Sequence, residues 1–262
     1  MGALTDDIAA LPVVVLCGGQ GIYIDGTGQR RNKALIRVAG QAMVSLVMKI
    51  YARVGFRIFI LAAGIQADAI RAVIVTDHGG RIDETDSGLY IGAVGEASCQ
   101  IRVVDTTTAA TTGDRLKQCR FFVQDSPHFC LTYSDTLAAV DLREVIRFHD
   151  DHGRLATLLA ANHPVRFRII GARPGENHVR GFAPRPVLEA EPINGGFYVF
   201  NRAIFDDRYL GIRGAQVVLE DEVLDQLAAD QQLMAFRHAG RWQNLDSERD
   251  IKPLVEISQW LS

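Results

Sequence analysis

The four cysteines in 262 residues, Cys17, Cys99, Cys119 and Cys130, include no pair close enough in sequence for a zinc knuckle or a redox dithiol. A chain of this length builds a core without disulfide staples, so reduced thiols in a cytosol are the expectation. Dense basic runs are missing as well: 28 Lys+Arg stand against 31 Asp+Glu, a formal net charge of −3. Without a positive footprint, nucleic acid is not an expected partner. No apolar run is long enough to span a bilayer, and Met1 to Pro12 carries two aspartates and no basic residue. Neither export nor a membrane partner is expected, and the cytoplasm is the expected location. No periodic repeat divides the chain, whose length suits a single domain over 1–262.

What the chain does contain is an alternation of strand and helix patterns. Pro12 to Leu16 is a β-branched run that breaks into glycines, as a fully buried strand feeding a loop would. Ala42 to Val54 has apolar residues at helical spacing, Gly55 closes it, and "FRIFILAAG" supplies the next strand. Such a unit has a right-handed crossover. Cys130 to Tyr133 predicts a strand, Asp141 to His149 a helix capped by Asp141, and "RLATLLAA" and "GGFYVFN" two further strands. The Gly-, Asp- and Ser-rich Asp77 to Ala97 predicts a surface excursion with a hairpin, and Pro164 to Pro192 small strands in a lid. "LEDEVLDQLAADQQL" predicts a helix, "MAFRHAGRWQNLD" a strand or two, and "DIKPLVEISQWLS" a closing helix. The expected class is α/β: a Rossmann-like, mostly parallel sheet flanked by helices, with a small lid region.

Gly18, Gly19 and Gly21 follow the first strand directly, where missing side chains let backbone N–H groups approach phosphate oxygens. A glycine turn of this kind also serves tight packing or opens a dinucleotide site, although that fingerprint runs straight into a helix, whereas here Gly26 and Gly28 prolong the loop. A P-loop is excluded, because no G-K-[ST] follows at the needed spacing. Arg30, Arg31 and Lys33 on the same loop would neutralise a polyphosphate; spacing alone leaves a solvated basic surface equally open.

The segment "LCGGQGIYIDGTGQRRNKALIRVAGQAMVSLVMKIYARVGF" resembles the opening of the sugar-1-phosphate nucleotidyltransferases, particularly their glucose-1-phosphate cytidylyltransferase branch. The likeness recurs in "VVDT" with "TTGDRL", in "FCLTYSD" followed by "VDLREVIRFHDDHGRLAT", in "INGGFYV" and in "LMAFRHAGRWQNLDSERD", covering nearly the whole chain in order. It implies a nucleotidyltransferase fold of the GT-A-like type and transfer of a nucleotidyl group, CMP from CTP by preference, to a sugar-1-phosphate. It also implies a homo-oligomer.

Residue by residue, the resemblance implies that Lys33, Asp135 and Asp246 are catalytic and that the two aspartates hold Mg2+. Magnesium needs few protein ligands beyond one or two carboxylates. Leu16, Cys17, Gly18, Gly19, Gln20, Gly21, Tyr23, Arg31, Lys33, Arg115 and Ser134 correspond to nucleotide-binding positions. Arg185, Asn194, Gly195 and Gly196 correspond to the sugar-phosphate site. Outside that pattern each aspartate would be an ordinary cap or turn residue. His149 and His152, one helical turn apart, and His238 are assigned structural roles rather than metal ligation.

The chain departs from the family at several positions. Ile22 and Tyr23 replace a Thr-Arg pair whose arginine contacts the triphosphate. Asn32 and Ala34 replace loop prolines, which predicts a less rigid loop. Ser134 and Thr136 replace glycines beside the metal aspartate, and Pro184-Arg185 stands where the family has Glu-Lys. These changes open the sugar choice to a heptose or cyclitol phosphate. They also define an alternative, a catalytically impaired regulator or scaffold that binds nucleotide or nucleotide-sugar. A glycosyltransferase would call for a D-x-D motif, and "SDT" offers one carboxylate.

Overall fold

The computed structural model describes residues 7–19, 22–24, 30–64, 66–86, 88–106, 111–162, 192–211 and 216–261. Among them, nine strands form one sheet: β1 (Pro12–Leu16), β2 (Ile58–Ala63), β3 (Arg81–Ile82), β4 (Leu89–Val94), β5 (Ala97–Asp105), β6 (His128–Tyr133), β7 (Ala156–Ala161), β8 (Ile193–Asn201) and β9 (Leu233–His238). Their spatial order is β9-β7-β8-β6-β1-β2-β5-β4-β3. All but β4 and β8 run in one direction, giving the mostly parallel sheet anticipated from the strand and helix alternation. The main helices are α1 (Met43–Ala52), α2 (Ala67–His78), α3 (Thr112–Gln118), α4 (Leu142–His152) and α5 (Ile251–Trp260).

The sheet is covered on both faces, which is why β1 is apolar throughout rather than alternating. Val13 and Val15 belong to a core with Leu46 of α1, Ile146 of α4 and Leu254 of α5. Val14 and Leu16 point the other way, into a second core with Leu116 of α3, Phe205 and Leu227. α1 is buried along nearly its whole length, so its sequence carries almost no polar face. By contrast α4 is half solvated and takes its start from Asp141, whose carboxylate accepts from the Arg143 N–H at 2.9 Å.

Three expectations are modified. The segment 77–97 is more than a surface excursion: β4 and β5 form an antiparallel pair that extends the main sheet beyond β2. "LEDEVLDQLAA" is helical, but opens with a π turn over Leu219–Leu224 before continuing as Asp225–Ala229. The long glycine loop contains a short antiparallel ladder, Ile22–Ile24 against Arg30–Asn32, with Tyr23 opposite Arg31. The expected lid, Pro164 to Pro192, lies outside the described residues except for Pro192 itself.

The connectivity positions the site. From β1 the chain passes through α1 to β2 on one side, and later places β6 on the other, both parallel to β1. The order reverses at β1, and open α/β sheets bind ligands in the crevice beyond the strand carboxyl ends at such a switch point.

Candidate active site

At that edge Leu16 stands opposite Tyr133 in register, and the Ser134 N–H donates to the Leu16 carbonyl at 3.2 Å. The chain leaves β1 through Gly18, whose backbone touches that of Gly64 beyond β2. A side chain on Gly18 would bring its Cβ to 1.8 Å from Arg115 Nη1 and 2.3 Å from the Gly64 nitrogen. Glycine is required here by close approach rather than by a left-handed backbone. Arg115, on α3, is buried, and its Nη1 donates to Thr106 Oγ1 at 3.2 Å. Burial lowers its pKa, partly offset by Cys17, yet an arginine stays cationic. Burial likewise pushes the Cys17 thiol up to about 12 against the opposing charge of Arg115, so that sulfur is no nucleophile.

Lys33 opens a short helical turn, Lys33–Leu35, whose cap is Asn32. Asn32 Oδ1 accepts from the Ala34 N–H at 2.9 Å, while its Nδ2 donates to the Cys17 carbonyl at 3.1 Å. The residue expected to loosen the loop therefore ties it to the end of β1. From this anchor the Lys33 ammonium donates to Asp135 Oδ2 at 3.1 Å and to Asp246 Oδ1 at 2.8 Å. Burial by itself would lower the lysine's pKa, but hydrogen bonds and charges from Asp246 and Asp135 prevail and hold it above the usual value. Solvent reaches the carboxylates, with Asp135 26% and Asp246 40% exposed, so the cluster opens to a ligand.

The two aspartates are brought together by a minor antiparallel pair, Thr136–Ala138 with Trp242–Asn244, which follows β6 directly. The Leu245 N–H donates to the Asp135 carbonyl at 2.8 Å, closing that pair beside the site. Asp250 organises the second aspartate's loop: its Oδ2 accepts from the backbone N–H groups of Asp246 at 2.9 Å and Ser247 at 2.7 Å. Its Oδ1 accepts from Gln243 Nε2 at 3.1 Å. Asn244 donates to Asp246 Oδ2 at 2.7 Å, leaving Oδ1 to Lys33.

Asn194, Gly195 and Gly196 open β8 beside these groups. Gly196 has φ of +75°, and a Cβ there would meet Tyr133 Cδ2 at 2.8 Å, so both conformation and space select glycine. Trp242 Nε1 donates to the Gly195 carbonyl at 2.8 Å and so links this segment to the Asp246 arm.

A cleft of about 160 Å³ gathers Leu16, Cys17, Gly19, Lys33, Arg115, Ser134 and Asp135, all expected from the sequence, with Asn32, Thr112 and Tyr133, which were not. Glycine runs and family motifs drew attention to the former; Thr112 and Tyr133 stand inside two of those motifs without being singled out, and Asn32 reads only as a replaced proline. Gln20, Gly21 and Arg185 lie outside the described residues, as does the side chain of Tyr23, while Arg31 is exposed in the ladder. A larger cleft of about 530 Å³ opens at the amino-terminal edge beside Pro12, Ile58 and Phe121. Its guanidinium, Arg102, is held by Asp86 at 2.5 Å, and the chemistry favours the smaller cleft.

Two carboxylates already converging on one cation form a donor set that fits a hard divalent ion completed by phosphate oxygens and water. Among the described residues no group of three or more His, Cys, Asp or Glu is arranged to hold a metal. His149 and His152 both bond Thr157 Oγ1, at 2.9 and 2.7 Å, and His238 approaches the Arg241 carbonyl at 3.4 Å. Among the described residues no helix is long and apolar enough to cross a membrane.

Residues 12–250 match the family model described as nucleotidyl transferase. The chain is 31% identical over 244 residues to a glucose-1-phosphate cytidylyltransferase of Salmonella typhimurium, covering 92% of this chain and 93% of that one. It is 28% identical over 253 residues to a probable glucose-1-phosphate cytidylyltransferase of Bacillus subtilis, covering 95% of each. Among solved structures, HddC from Yersinia pseudotuberculosis complexed with GMP-PN superposes with a TM-score of 0.67 at 16% identity, over 94% of this chain and 98% of that one. At that identity the superposition speaks for the fold.

Proposed function

This chain belongs to the nucleotidyl transferase family, and from that premise we propose that it transfers CMP from CTP to a sugar-1-phosphate, releasing pyrophosphate and forming a nucleoside diphosphate sugar. The observation that carries the reading is the convergence of Lys33 with Asp135 and Asp246 at the carboxyl edge of β1 and β6, beside the glycine turn. Similarity to cytidylyltransferases over nearly the full length of both chains supports CTP and a sugar-1-phosphate as the substrate pair.

In this reading a phosphate oxygen of the sugar-1-phosphate attacks the α-phosphorus of CTP. A new P–O bond forms as the bond to the bridging α–β oxygen breaks, and that oxygen leaves with pyrophosphate. The attacking monoester is mostly dianionic at neutral pH, its second pKa being about 6, so no general base is needed. Cys17, kept protonated by burial, takes no covalent part. The protein's work is positioning and charge neutralisation. Lys33 turns its ammonium from the carboxylates toward the triphosphate, the close-packed Gly18 backbone lies along the phosphates, and Arg115 supplies a fixed cation behind that backbone. Asn194 with Gly195 and Gly196 receives the sugar, where an amide bonds hydroxyls and glycines leave room for the ring. Asp135 and Asp246 would hold Mg2+, which when bound offsets charge on the reacting phosphates.

Pyrophosphate release, measured with Mg2+ across the four ribonucleoside triphosphates and a set of sugar-1-phosphates, tests the assignment. Turnover with CTP and one sugar-1-phosphate is expected. CTP binding without release for any acceptor would contradict an enzymatic role and favour a nucleotide-binding regulator.

A further inference from the structure

A chain of side-chain hydrogen bonds runs from Asn194 to Tyr133, which lines the cleft, and ends on a carboxylate. Glu220 lies on the π turn Leu219–Leu224. One of its oxygens accepts from the Tyr133 hydroxyl, the other from Thr112 Oγ1 at 2.7 Å. Tyr133 approaches the Tyr198 hydroxyl at 3.4 Å, and Tyr198 receives Asn194 Nδ2 at 2.6 Å. The two rings meet edge to face on neighbouring strands, centroids 6.1 Å apart.

The direction of every step follows from donor chemistry. An ionised carboxylate only accepts, so the single hydroxyl proton of Tyr133 is committed to Glu220. Tyr198 must then donate to Tyr133, and the Tyr198 oxygen accepts from Asn194. Tyr198 is fully buried, which raises its pKa and keeps that proton in place. Asn194 is pinned at its other end too, since its Oδ1 accepts from the Gly196 N–H at 3.1 Å. The Gly196 N–H fixes which way round the Asn194 amide stands, and the carboxylate, by ordering the tyrosine protons, keeps the Tyr198 oxygen turned to receive its Nδ2, leaving a defined N–H and lone pair for a ligand.

We propose that Glu220 is a positioning residue which, through Tyr133 and Tyr198, holds the acceptor that receives Asn194 Nδ2 and so places the Asn194 amide for recognition of the sugar hydroxyls. The proposal rests on the reading of Asn194 as part of the sugar-phosphate site. Glu220→Gln replaces an acceptor-only terminus with a group that can also donate, which releases the order of the relay; Tyr198→Phe cuts it in the middle.

Two measurements test this in the full-length protein. In 1H–15N spectra the side-chain amide pair of Asn194, assigned by its loss in Asn194→Asp, is expected to shift in both Glu220→Gln and Tyr198→Phe. In steady-state assays with CTP and glucose-1-phosphate, each variant is expected to raise KM for the sugar phosphate about tenfold, the effect of one misdirected hydrogen bond, and Tyr198→Phe, which leaves Glu220 on Tyr133 and Thr112, is expected to keep KM for CTP within about twofold of the parent. The double variant is expected to be no worse than the worse single one, because both act on one relay. An Asn194 amide signal unmoved by Glu220→Gln, or KM for CTP rising in step with that for the sugar in Tyr198→Phe, overturns the proposal. Should the unmodified protein turn over no triphosphate and sugar phosphate at all, the functional reading fails instead, and the amide spectra still decide the relay.

Discussion

The Lys33 ammonium and the Asp246 carboxylate meet at 2.8 Å although 213 positions separate them in the chain. Lys33 is presented by the turn that Asn32 ties to the end of β1, and Asp246 by the loop that Asp250 holds. Lys33→Met is therefore expected to leave the fold intact and lower kcat by about 10²–10³-fold, the usual loss on removing one fixed electrostatic stabiliser. Circular dichroism and steady-state pyrophosphate release check both halves of that statement.

The raised pKa of Lys33 has a defined consequence for stability. A cation whose folded pKa exceeds its unfolded value contributes stability below the unfolded pKa, near 10.4 for lysine, and loses it as pH rises through the folded value. The cluster thus favours folding through the neutral range and loosens only in strong alkali. Urea unfolding from pH 7 to 9 is expected to show the same contribution from Lys33 throughout, measured as an unchanging difference from Lys33→Met.

His149 acts at the other limb. It is fully buried, and burial together with the charges of His128 and His152 lowers its pKa to about 3. The unfolded chain takes up a proton near pH 6.5 that the folded one refuses, so stability is complete above that pH and falls as pH drops toward 3. One such proton is worth about 1.4 kcal/mol per pH unit. Because His78, His128, His152 and His238 are lowered by burial as well, urea unfolding between pH 6 and 5 is expected to show a steeper slope than this, reduced by about one proton's worth in His149→Leu.

Gly18→Ala places a methyl group at 1.8 Å from Arg115 Nη1 and 2.7 Å from the Ala63 carbonyl carbon. Neither the backbone nor a buried guanidinium can withdraw without disturbing the glycine turn. Destabilisation of about 1–3 kcal/mol is expected, with CTP affinity falling beyond what the stability loss explains; denaturant unfolding and calorimetry separate the two.

Much of this was legible in the sequence because it is written locally. β1 is an unbroken apolar run followed by glycines, α4 begins at a capping aspartate, and Lys33, Asp135 and Asp246 each sit in a motif of their own. The partnerships that give those residues their geometry are long-range and leave no local mark. Glu220 looks like one acid among several at a helix start, and Tyr133 like any strand terminus, until the fold brings Thr112 and Asn194 to either side of them. Asn32 misled in the opposite direction: a lost proline suggested slack, whereas its amide bonds the β1 terminus and its own turn. β4 was hidden by composition. Its buried positions alternate in "LYIGAV", but the Gly and Asp around it signalled a hairpin at the surface rather than strands of the main sheet.

The proposed activity requires Asp135 and Asp246 to act as one unit. Asp135→Asn, Asp246→Asn and the double variant, compared by single-turnover pyrophosphate release at saturating CTP and Mg2+, test this directly. Each single substitution is expected to cost about 10²–10³-fold, and the double no more than about threefold beyond the worse single, as groups sharing one task behave. Losses that multiply in the double variant, or near-parental turnover in either single one, would contradict it.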